Sequence, residues 1–182
     1  MSKVYIKKVN LDNIKVDLST INISRKQYLE KLNGNAKKMS YAAWCLLKEI
    51  VYENYNIDID LVKLSYNEFN KPIIEGISFN ISHSNNIVVV AISDDSIGVD
   101  IQLVDDKIYS LSKYIDNSFD KYELTKHFSA IEAFYKQKGT GIKKSLLKES
   151  VTIDYQQSIN IDNNTYVLSV CSNDKDIKII NI

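Results

Sequence analysis

The chain has 182 residues, of which 45% are hydrophobic and 25% are charged. This composition is typical of a folded globular protein and excludes the disordered, collagen-like and coiled-coil classes. Lysine plus arginine and aspartate plus glutamate both number 23, so the formal net charge is zero. No global positive field exists to hold nucleic acid or an anionic membrane, and any anionic ligand must be bound by a local site.

Several features bear on the compartment. The first ten residues interleave lysines with single apolar residues and lack the apolar core of a secretory signal. The longest apolar run, residues 87–92, is far shorter than the roughly 20 residues of a membrane-spanning helix. Cys45 and Cys171 are too few for a disulfide framework. We therefore predict a cytoplasmic protein with reduced thiols and with neither nucleic acid nor membrane as a partner.

The first half of the sequence predicts a strand, two helices and then further strands. Residues 4–6 alternate as a strand, Ser24 is a potential N-cap for a helix over residues 25–32, and a longer helix begins at Ser40. The apolar stripe of the longer helix consists of Ala43, Leu46, Leu47, Ile50 and Val51. Further strands are predicted at residues 62–66, 77–82 and 87–92, with a turn at Asn85-Asn86.

The order of strand, helix and strands occurs a second time after about residue 95. A strand is predicted at residues 97–104, helical structure up to about Lys138, and strands near residues 151–155, 166–171 and 177–182. No flexible linker separates the two parts. We therefore predict an α+β fold with two similar halves, residues 1–95 and 96–182. Each half would be a small, mostly antiparallel sheet packed with helices, and a pseudo-twofold axis would relate them.

Asp100 lies in the predicted strand over residues 97–104, among strong strand formers. Side chains alternate along a strand, so Asp100 shares a face with Gly98 and Gln102. A buried carboxylate is unfavourable unless a cation or several donors compensate it, which favours a ligand or metal role for Asp100. The alternative is an aspartate at a strand end that faces water, and the strand pattern does not decide between the two.

The helix that ends near Lys138 carries a second candidate group. Its predicted buried stripe consists of Leu124, Phe128, Ile131 and Tyr135. Glu132 and Lys136 are four residues apart and are therefore neighbours on the helix surface, where most such pairs are solvated and contribute little. Together with Asp100, Glu132 would supply the second carboxylate for Mg²⁺, which typically binds one or two carboxylates plus phosphate oxygens and water.

A third candidate group is the end of the strand over residues 79–84, which includes Ser82 and His83. An imidazole, hydroxyl groups and backbone N–H groups there can bind a phosphate, although a lone histidine at a strand end is more often structural. Lys71, just before the single proline, is ordinarily a turn residue. Residues 139–141, Gly-Thr-Gly, ordinarily end a helix.

Taken together, these segments resemble the signature of the 4′-phosphopantetheinyl transferases, in their longer, pseudo-dimeric Sfp type. The matching segments are Lys71-Pro72, Phe79 to Ser84, Ile97 to Ile101 and Phe128 to Gln137, followed by Gly139 and Gly141. Each motif alone would arise by chance, but four at family-like intervals are specific. The resemblance implies Mg²⁺-dependent transfer of the phosphopantetheine arm of coenzyme A to a serine of an apo acyl or peptidyl carrier protein, with release of adenosine 3′,5′-bisphosphate.

The resemblance also implies roles for individual residues. Asp100 and Glu132 would bind Mg²⁺, with Gln102 as a further ligand through its oxygen or a bridging water. Glu132 would also take the proton of the carrier serine, and Lys136 would hold phosphate oxygens across the reacting bond. The residues of the N-terminal half that would contact the nucleotide end of coenzyme A are Lys71, Ser82 and His83.

The sequence departs from the family pattern at three positions. Gln102 stands where the Sfp type usually has a glutamate, which removes one negative charge and predicts weaker Mg²⁺ binding. Ile131 and Phe128 stand where lysine and tryptophan are common. Two other functions therefore stay open: a non-catalytic paralogue that binds coenzyme A or a carrier protein, and a generic Mg²⁺-dependent phosphohydrolase.

The length of the chain bears on assembly. Shorter members of the wider family contain one half and must associate, whereas 182 residues suffice for both halves, so we expect a monomer with the site in the cleft between them. Carrier proteins are commonly acidic, which favours basic surface near that cleft. The candidate carrier contacts, by proximity in sequence alone, are Lys113, Lys121 and Lys126.

Overall fold

A computed structural model describes all residues from 1 to 182 and contains nine strands, three α-helices and two short 3₁₀ helices. The strands are β1 (Ser2–Lys8), β2 (Leu64–Tyr66), β3 (Pro72–Ile74), β4 (Ser78–Ser84), β5 (Ile87–Ser93), β6 (Ile97–Leu103), β7 (Tyr155–Ile161), β8 (Asn164–Ser172) and β9 (Ile177–Asn181). The helices are α1 (Ile23–Glu30), α2 (Gly34–Tyr55) and α3 (Lys121–Lys138), with 3₁₀ helices at Asp106–Tyr114 and Lys144–Lys148. None of the helices has the length and apolar character needed to span a membrane.

The first sheet has the strand order β4-β5-β1-β9 and packs one face against α2. The apolar stripe predicted for α2 is buried, and Trp44 and Leu47 of that helix lie in one cluster with Phe79 and Val90 of the sheet. β1 is antiparallel to β5 and parallel to β9. The N-terminal core is therefore a helix packed on a sheet, as the periodicity of the sequence predicts.

The second sheet, β6-β8-β7, lies against the opposite face of the first. Val99 and Ile101 of β6 lie in a second buried cluster with Leu168 of β8 and with Val89 and Ala91 of β5. Strand β5 is thus buried on both faces, which explains why its sequence is continuously apolar rather than alternating. The layers follow in the order α2, first sheet, second sheet, α3.

The two parts of the chain repeat one strand arrangement. In the first sheet the order β4-β5-β1 is entirely antiparallel, and in the second sheet β7-β8-β6 repeats that order and those directions. The predicted α+β class is confirmed. β9, although it lies at the end of the chain, pairs with β1 in the first sheet. The division into halves at residue 95 stays a prediction.

Several elements differ from the sequence-based expectation. β3 and the 3₁₀ helix at Lys144–Lys148 were not expected, and three other differences have a local reason. α1 is capped by Asn22, whose side chain accepts the N–H of Ser24 at 3.0 Å, and not by Ser24 itself. α2 begins at Gly34 rather than Ser40. Its first turn is exposed and precedes the apolar stripe, so hydrophobic periodicity did not reveal it. The strand expected at residues 151–155 lies at β7, whose polar residues mask the alternation of a strand at a sheet edge.

Gly98 sets the distance between α3 and β6. A Cβ atom at this position would lie 2.0 Å from the carbonyl oxygen of Ala133 and 2.3 Å from the backbone nitrogen of Gln137. The obstruction is helix backbone, so no side-chain rotation can relieve it. Only glycine allows the last turns of α3 to lie directly on the strand that carries Asp100.

The substitution Gly98→Ala is expected to destabilise the protein by about 3 kcal/mol or more, because α3 must move off the sheet. Urea denaturation measures the change in the free energy of unfolding. Gly76→Ala is the matched control, since a Cβ atom there meets nothing within 4 Å and only the positive φ of 77° is unfavourable. A loss at Gly98 no larger than that at Gly76 would contradict the close packing.

Candidate functional site

α3 carries Glu132 and Lys136, and both of its ends are well defined. At the N-terminus, the side chain of Asp120 accepts the N–H of Glu123 at 2.9 Å, and the side chain of Glu123 accepts the N–H of Asp120 at 3.0 Å. This reciprocal pair is a capping box. At the C-terminus, Gly139 adopts a left-handed conformation and ends the helix. The helix that carries Lys136 therefore ends in specific capping interactions on both sides.

Side chains of β4 hold the free edge of β6. The N–H of Val99 donates to Asn80 Oδ1 at 2.9 Å, and the N–H of Leu103 donates to Ser84 Oγ at 2.9 Å. Between them, the N–H of Ile101 donates to the hydroxyl of Ser82 at 3.3 Å. Three alternate residues of one strand thus satisfy three alternate backbone donors of the other. This contact joins the two sheets directly beside Asp100.

Asp100, Glu132 and Lys136 converge on one point. Lys136 Nζ lies 2.7 Å from Asp100 Oδ1 and 3.7 Å from Glu132 Oε2. Asp100 is only 4% exposed, and its Oδ1 also accepts the hydroxyl of Ser82 at 2.8 Å. The lysine ammonium therefore lies between two carboxylates that are 32 residues apart in the chain.

The cluster changes the acidity of its members. Burial lowers the pKa of Lys136, but the charges of Asp100 and Glu132 outweigh it, so the net pKa is raised and the ammonium is retained. Burial raises the pKa of Glu132, which the adjacent Lys136 only partly offsets. A carboxylate with a raised pKa is a better proton acceptor than a solvated one.

A cavity of about 400 Å³ opens beside this cluster, and its lining residues come from residues 25–83 and 132–142. Its lining includes four basic side chains, Arg25, Lys71, His83 and Lys136, and the carboxylate of Glu132. Tyr28, Phe69 and Tyr135 add aromatic surface. A chain without net charge therefore concentrates basic groups at one concave site, which suits an anionic ligand with an apolar part.

Two of the three residues predicted to contact the nucleotide line this cavity. His83 keeps access to solvent, yet burial by the surrounding protein and the charge of Lys136 lower its pKa. Lys71 also has a pKa lowered by burial, and its Nζ donates to the backbone carbonyl of Lys136 at 2.6 Å. Ser82 lies instead in the contact between the sheets, outside the cavity lining.

Arg25 was not singled out from the sequence as a site residue. It is buried, and its guanidinium donates to the carbonyl and the hydroxyl of Ser40 at 2.7 and 2.8 Å. The guanidinium also stacks on the rings of Tyr28 and Trp44, each at 4.9 Å. Arg25 Nε has no partner. The short, polar sequence of α1 does not predict that Arg25 is buried, because the burial arises from the packing of α1 on α2.

Gln102 and Phe128 line a second cavity, of about 340 Å³. Gln102 follows Asp100 by two residues on the same face of β6, and Phe128 precedes Glu132 by one turn of α3. The first cavity includes Glu132 and not Gln102. The aromatic residues Phe128 and Tyr135, expected in the core, therefore line the two cavities, while small residues such as Ala133 pack on the sheet.

The protein contains no cluster of three or more histidine, cysteine, aspartate or glutamate side chains suited to a metal. Two oxygen donors nevertheless suit one hard cation. Asp100 Oδ2 is buried without a hydrogen-bond partner, and Glu132 lies beside the same ammonium that Asp100 binds. Two carboxylates fit Mg²⁺ when phosphate oxygens and water complete its coordination.

Comparisons with known proteins agree with the motifs. No family model matches the chain. The chain is 30% identical over 132 residues to 4′-phosphopantetheinyl transferase Sfp of Bacillus subtilis (strain 168) and, to the same extent, to 4′-phosphopantetheinyl transferase ffp of Bacillus subtilis. Each match covers 64% of this chain and 59% of the relative, so the chain spans about three fifths of the relatives' length.

A third relative, 4′-phosphopantetheinyl transferase gsp of Aneurinibacillus migulanus, is 37% identical over 60 residues, which is 32% of this chain and 25% of the relative. All three relatives carry the name of one enzyme family. The resemblance predicted from the separated motifs is therefore confirmed.

The substitution Lys136→Met is expected to lower the free energy of unfolding by about 3–5 kcal/mol, because it leaves the carboxylate of Asp100 buried without a cation. Urea denaturation measures this loss. Lys121→Met is the control, since Lys121 pairs with the exposed Asp106 and should matter little. The double variant Asp100→Asn, Lys136→Met should regain part of the loss. Equal effects of the two lysine substitutions would contradict the buried ion pair.

The imidazole of His83 is expected to titrate below the ordinary value of 6.5, and its pKa should rise in the Lys136→Met variant. NMR titration measures both, and His127→Gln, which removes the second histidine, assigns the signals. The unfolded chain takes up this proton more readily, so the contribution of His83 to stability is lost as the pH falls below about 6.5. A pKa of His83 at or above 6.5 would contradict the expected effect of burial and of Lys136 on this imidazole.

Proposed function

We propose that the protein transfers the 4′-phosphopantetheine arm of coenzyme A to a serine hydroxyl of an acyl or peptidyl carrier protein and releases adenosine 3′,5′-bisphosphate. The observation that carries this proposal is the convergence of Asp100, Glu132 and Lys136 at the wall of a cavity lined by basic side chains. Coenzyme A carries several phosphate charges, which match the basic side chains of the cavity, and an apolar base, which matches its aromatic surface. The names of the relatives support the same chemistry.

The basic groups would bind the phosphates. Lys136 would leave the carboxylates in part to contact the diphosphate, and His83 and Arg25 line the same cavity. Phosphoryl transfer needs little covalent chemistry from the protein, and catalysis depends on positioning and on stabilising the charge of the transferred group. The basic side chains of the first cavity would provide that stabilisation, although the chain as a whole has no net charge.

Glu132 would take the proton of the carrier serine. The serine oxygen attacks the phosphorus on the pantetheine side of the diphosphate, the bond from that phosphorus to the bridging oxygen breaks, and the nucleotide leaves as a bisphosphate. The raised pKa of Glu132 suits the proton transfer. Asp100 and Glu132 would hold Mg²⁺, which when bound neutralises charge on the diphosphate.

The acceptor would approach from the second cavity. Gln102 lies on the same face of β6 as Asp100 and lines the second cavity, whereas Glu132 lines the first. Coenzyme A in the first cavity would leave the second open to the carrier. Gln102 would contribute through its carboxamide oxygen or a water. The basic residues Lys113, Lys121 and Lys126 stay proposed carrier contacts, and the cytoplasmic location and monomeric state stay proposals as well.

A non-catalytic paralogue that binds coenzyme A is the second candidate. The observation that favours it is the position of Lys136, whose ammonium already compensates both carboxylates, in a site with Gln102 in place of a third acid. Such a protein would bind coenzyme A without transferring its arm. Retention of Glu132 beside Asp100 favours the enzyme.

Purified protein incubated with coenzyme A, Mg²⁺ and an apo carrier is expected to yield a carrier heavier by one phosphopantetheine arm, measured by mass spectrometry. Asp100→Asn and Glu132→Gln should each lower the rate by about 10²- to 10³-fold. The control Glu53→Gln, at an exposed position of α2, should leave it unchanged. Binding without transfer over a panel of carriers would favour the paralogue, and free phosphopantetheine without a carrier would favour a phosphohydrolase.

A further inference from the structure

The hairpin of β2 and β3 contacts the C-terminal end of α3. Asn67 Nδ2 donates to the carbonyl oxygen of Gly139 at 2.6 Å. Lys71 Nζ donates to the carbonyl oxygen of Lys136 at 2.6 Å. A Cβ atom on Gly141 would lie 2.7 Å from the ring of Phe69, so the two segments are closely packed. The hairpin belongs to the N-terminal part of the chain, whereas the helix end carries a residue of the candidate site.

Asn67 links the turn of the hairpin to the helix end. Its side-chain oxygen accepts the N–H of Phe69 at 2.9 Å and the N–H of Lys71 at 3.0 Å, which shapes the turn. Its side-chain N–H₂ group is then directed at Gly139. One amide therefore uses its acceptor for the hairpin and its donor for α3.

The bond to Gly139 acts close to Lys136. The N–H of Gly139 donates to the carbonyl oxygen of Lys136 at 3.2 Å, and the N–H of Thr140 donates to Tyr135 at 3.1 Å. The last turn of a helix has carbonyl groups without partners in the helix, and it unwinds readily unless other groups satisfy them. The hairpin supplies two donors at this helix end. Lys71 donates to the carbonyl oxygen of Lys136 in the last turn, and Asn67 donates to the carbonyl oxygen of Gly139, the residue that caps the helix.

We propose that Asn67 is a positioning residue for Lys136. By fixing the carbonyl group of Gly139, it holds the last turn of α3 and so maintains the ammonium of Lys136 between Asp100 and Glu132. Asn67 does not line the cavity, so it acts through the helix end rather than on a ligand. The consequence for catalysis rests on the proposed function, whereas the effect on the Lys136 ammonium does not.

Two substitutions separate the donor of Asn67 from its acceptor. Asn67→Asp keeps the shape and the two bonds of the turn but removes the donor to Gly139. Asn67→Ser is uncharged, keeps a weaker acceptor for the turn, and is too short to reach Gly139. The matched controls are Asn54→Asp and Asn54→Ser, because Asn54 also donates to a backbone carbonyl, that of Ile50 at 2.8 Å, and lines neither cavity.

The first measurement is the ¹⁵N NMR signal of the lysine ammonium groups in the protein without ligand. The signal of Lys136, identified by its absence in Lys136→Met, is expected to be protected from exchange in the parent protein and to broaden in both Asn67 variants. Amide exchange at Gly139 and Thr140 should accelerate, while exchange at Ile131 should not. Both Asn54 variants should resemble the parent protein in these signals.

The second measurement is the transfer assay, in which both Asn67 variants are expected to lower kcat about 10-fold while KM for coenzyme A changes less than threefold, because a small displacement of a positioned group slows the chemical step. Absence of transfer in the parent protein would refute the proposed function. The Lys136 ammonium signal would still test whether Asn67 positions Lys136, because it is measured without ligand. An unchanged Lys136 signal in both variants would overturn the positioning role. An unchanged kcat in an active enzyme would overturn it too.

Discussion

The close approach of α3 to β6 at Gly98 is the constraint on which the candidate site depends. Asp100 belongs to the strand and Lys136 to the helix, and where the two backbones approach closely the ammonium lies 2.7 Å from the buried carboxylate. A methyl group at residue 98 would meet helix backbone on the side that presents Lys136. Gly98 therefore influences where the charged side chains of Asp100 and Lys136 meet, and the site depends on backbone packing as well as on charge.

Electrostatic compensation then decides which groups are available for chemistry. Asp100 is buried, and its carboxylate is held in place by the hydroxyl of Ser82 and the ammonium of Lys136. Glu132 is less tightly held, and burial raises its pKa. Two carboxylates in one cluster thus have different surroundings, and the proton transfer proposed above uses the one whose pKa is raised.

Local periodicity predicted most of the fold but only part of the site. The stripe of α2, the buried strand over residues 87–92 and the alternation around Asp100 follow from side-chain spacing, and the structure confirms them. Arg25 and Asn67 escaped prediction because their environments come from elements distant in sequence. Of the stripe predicted for α3, Leu124 and Ile131 are buried, whereas Phe128 and Tyr135 line cavities despite their core-like spacing.

The place of β9 bears on how the first sheet folds. β9 pairs in parallel with β1, and the backbone N–H of Ile182 donates to the carbonyl oxygen of Ile6. Ser2 and Ile177, which are partners in this ladder, are 175 residues apart in sequence. Pairing over such a separation must overcome a large loop-closure entropy before its hydrogen bonds form. The β1–β9 ladder is therefore expected to form more slowly than a local hairpin such as β4 and β5.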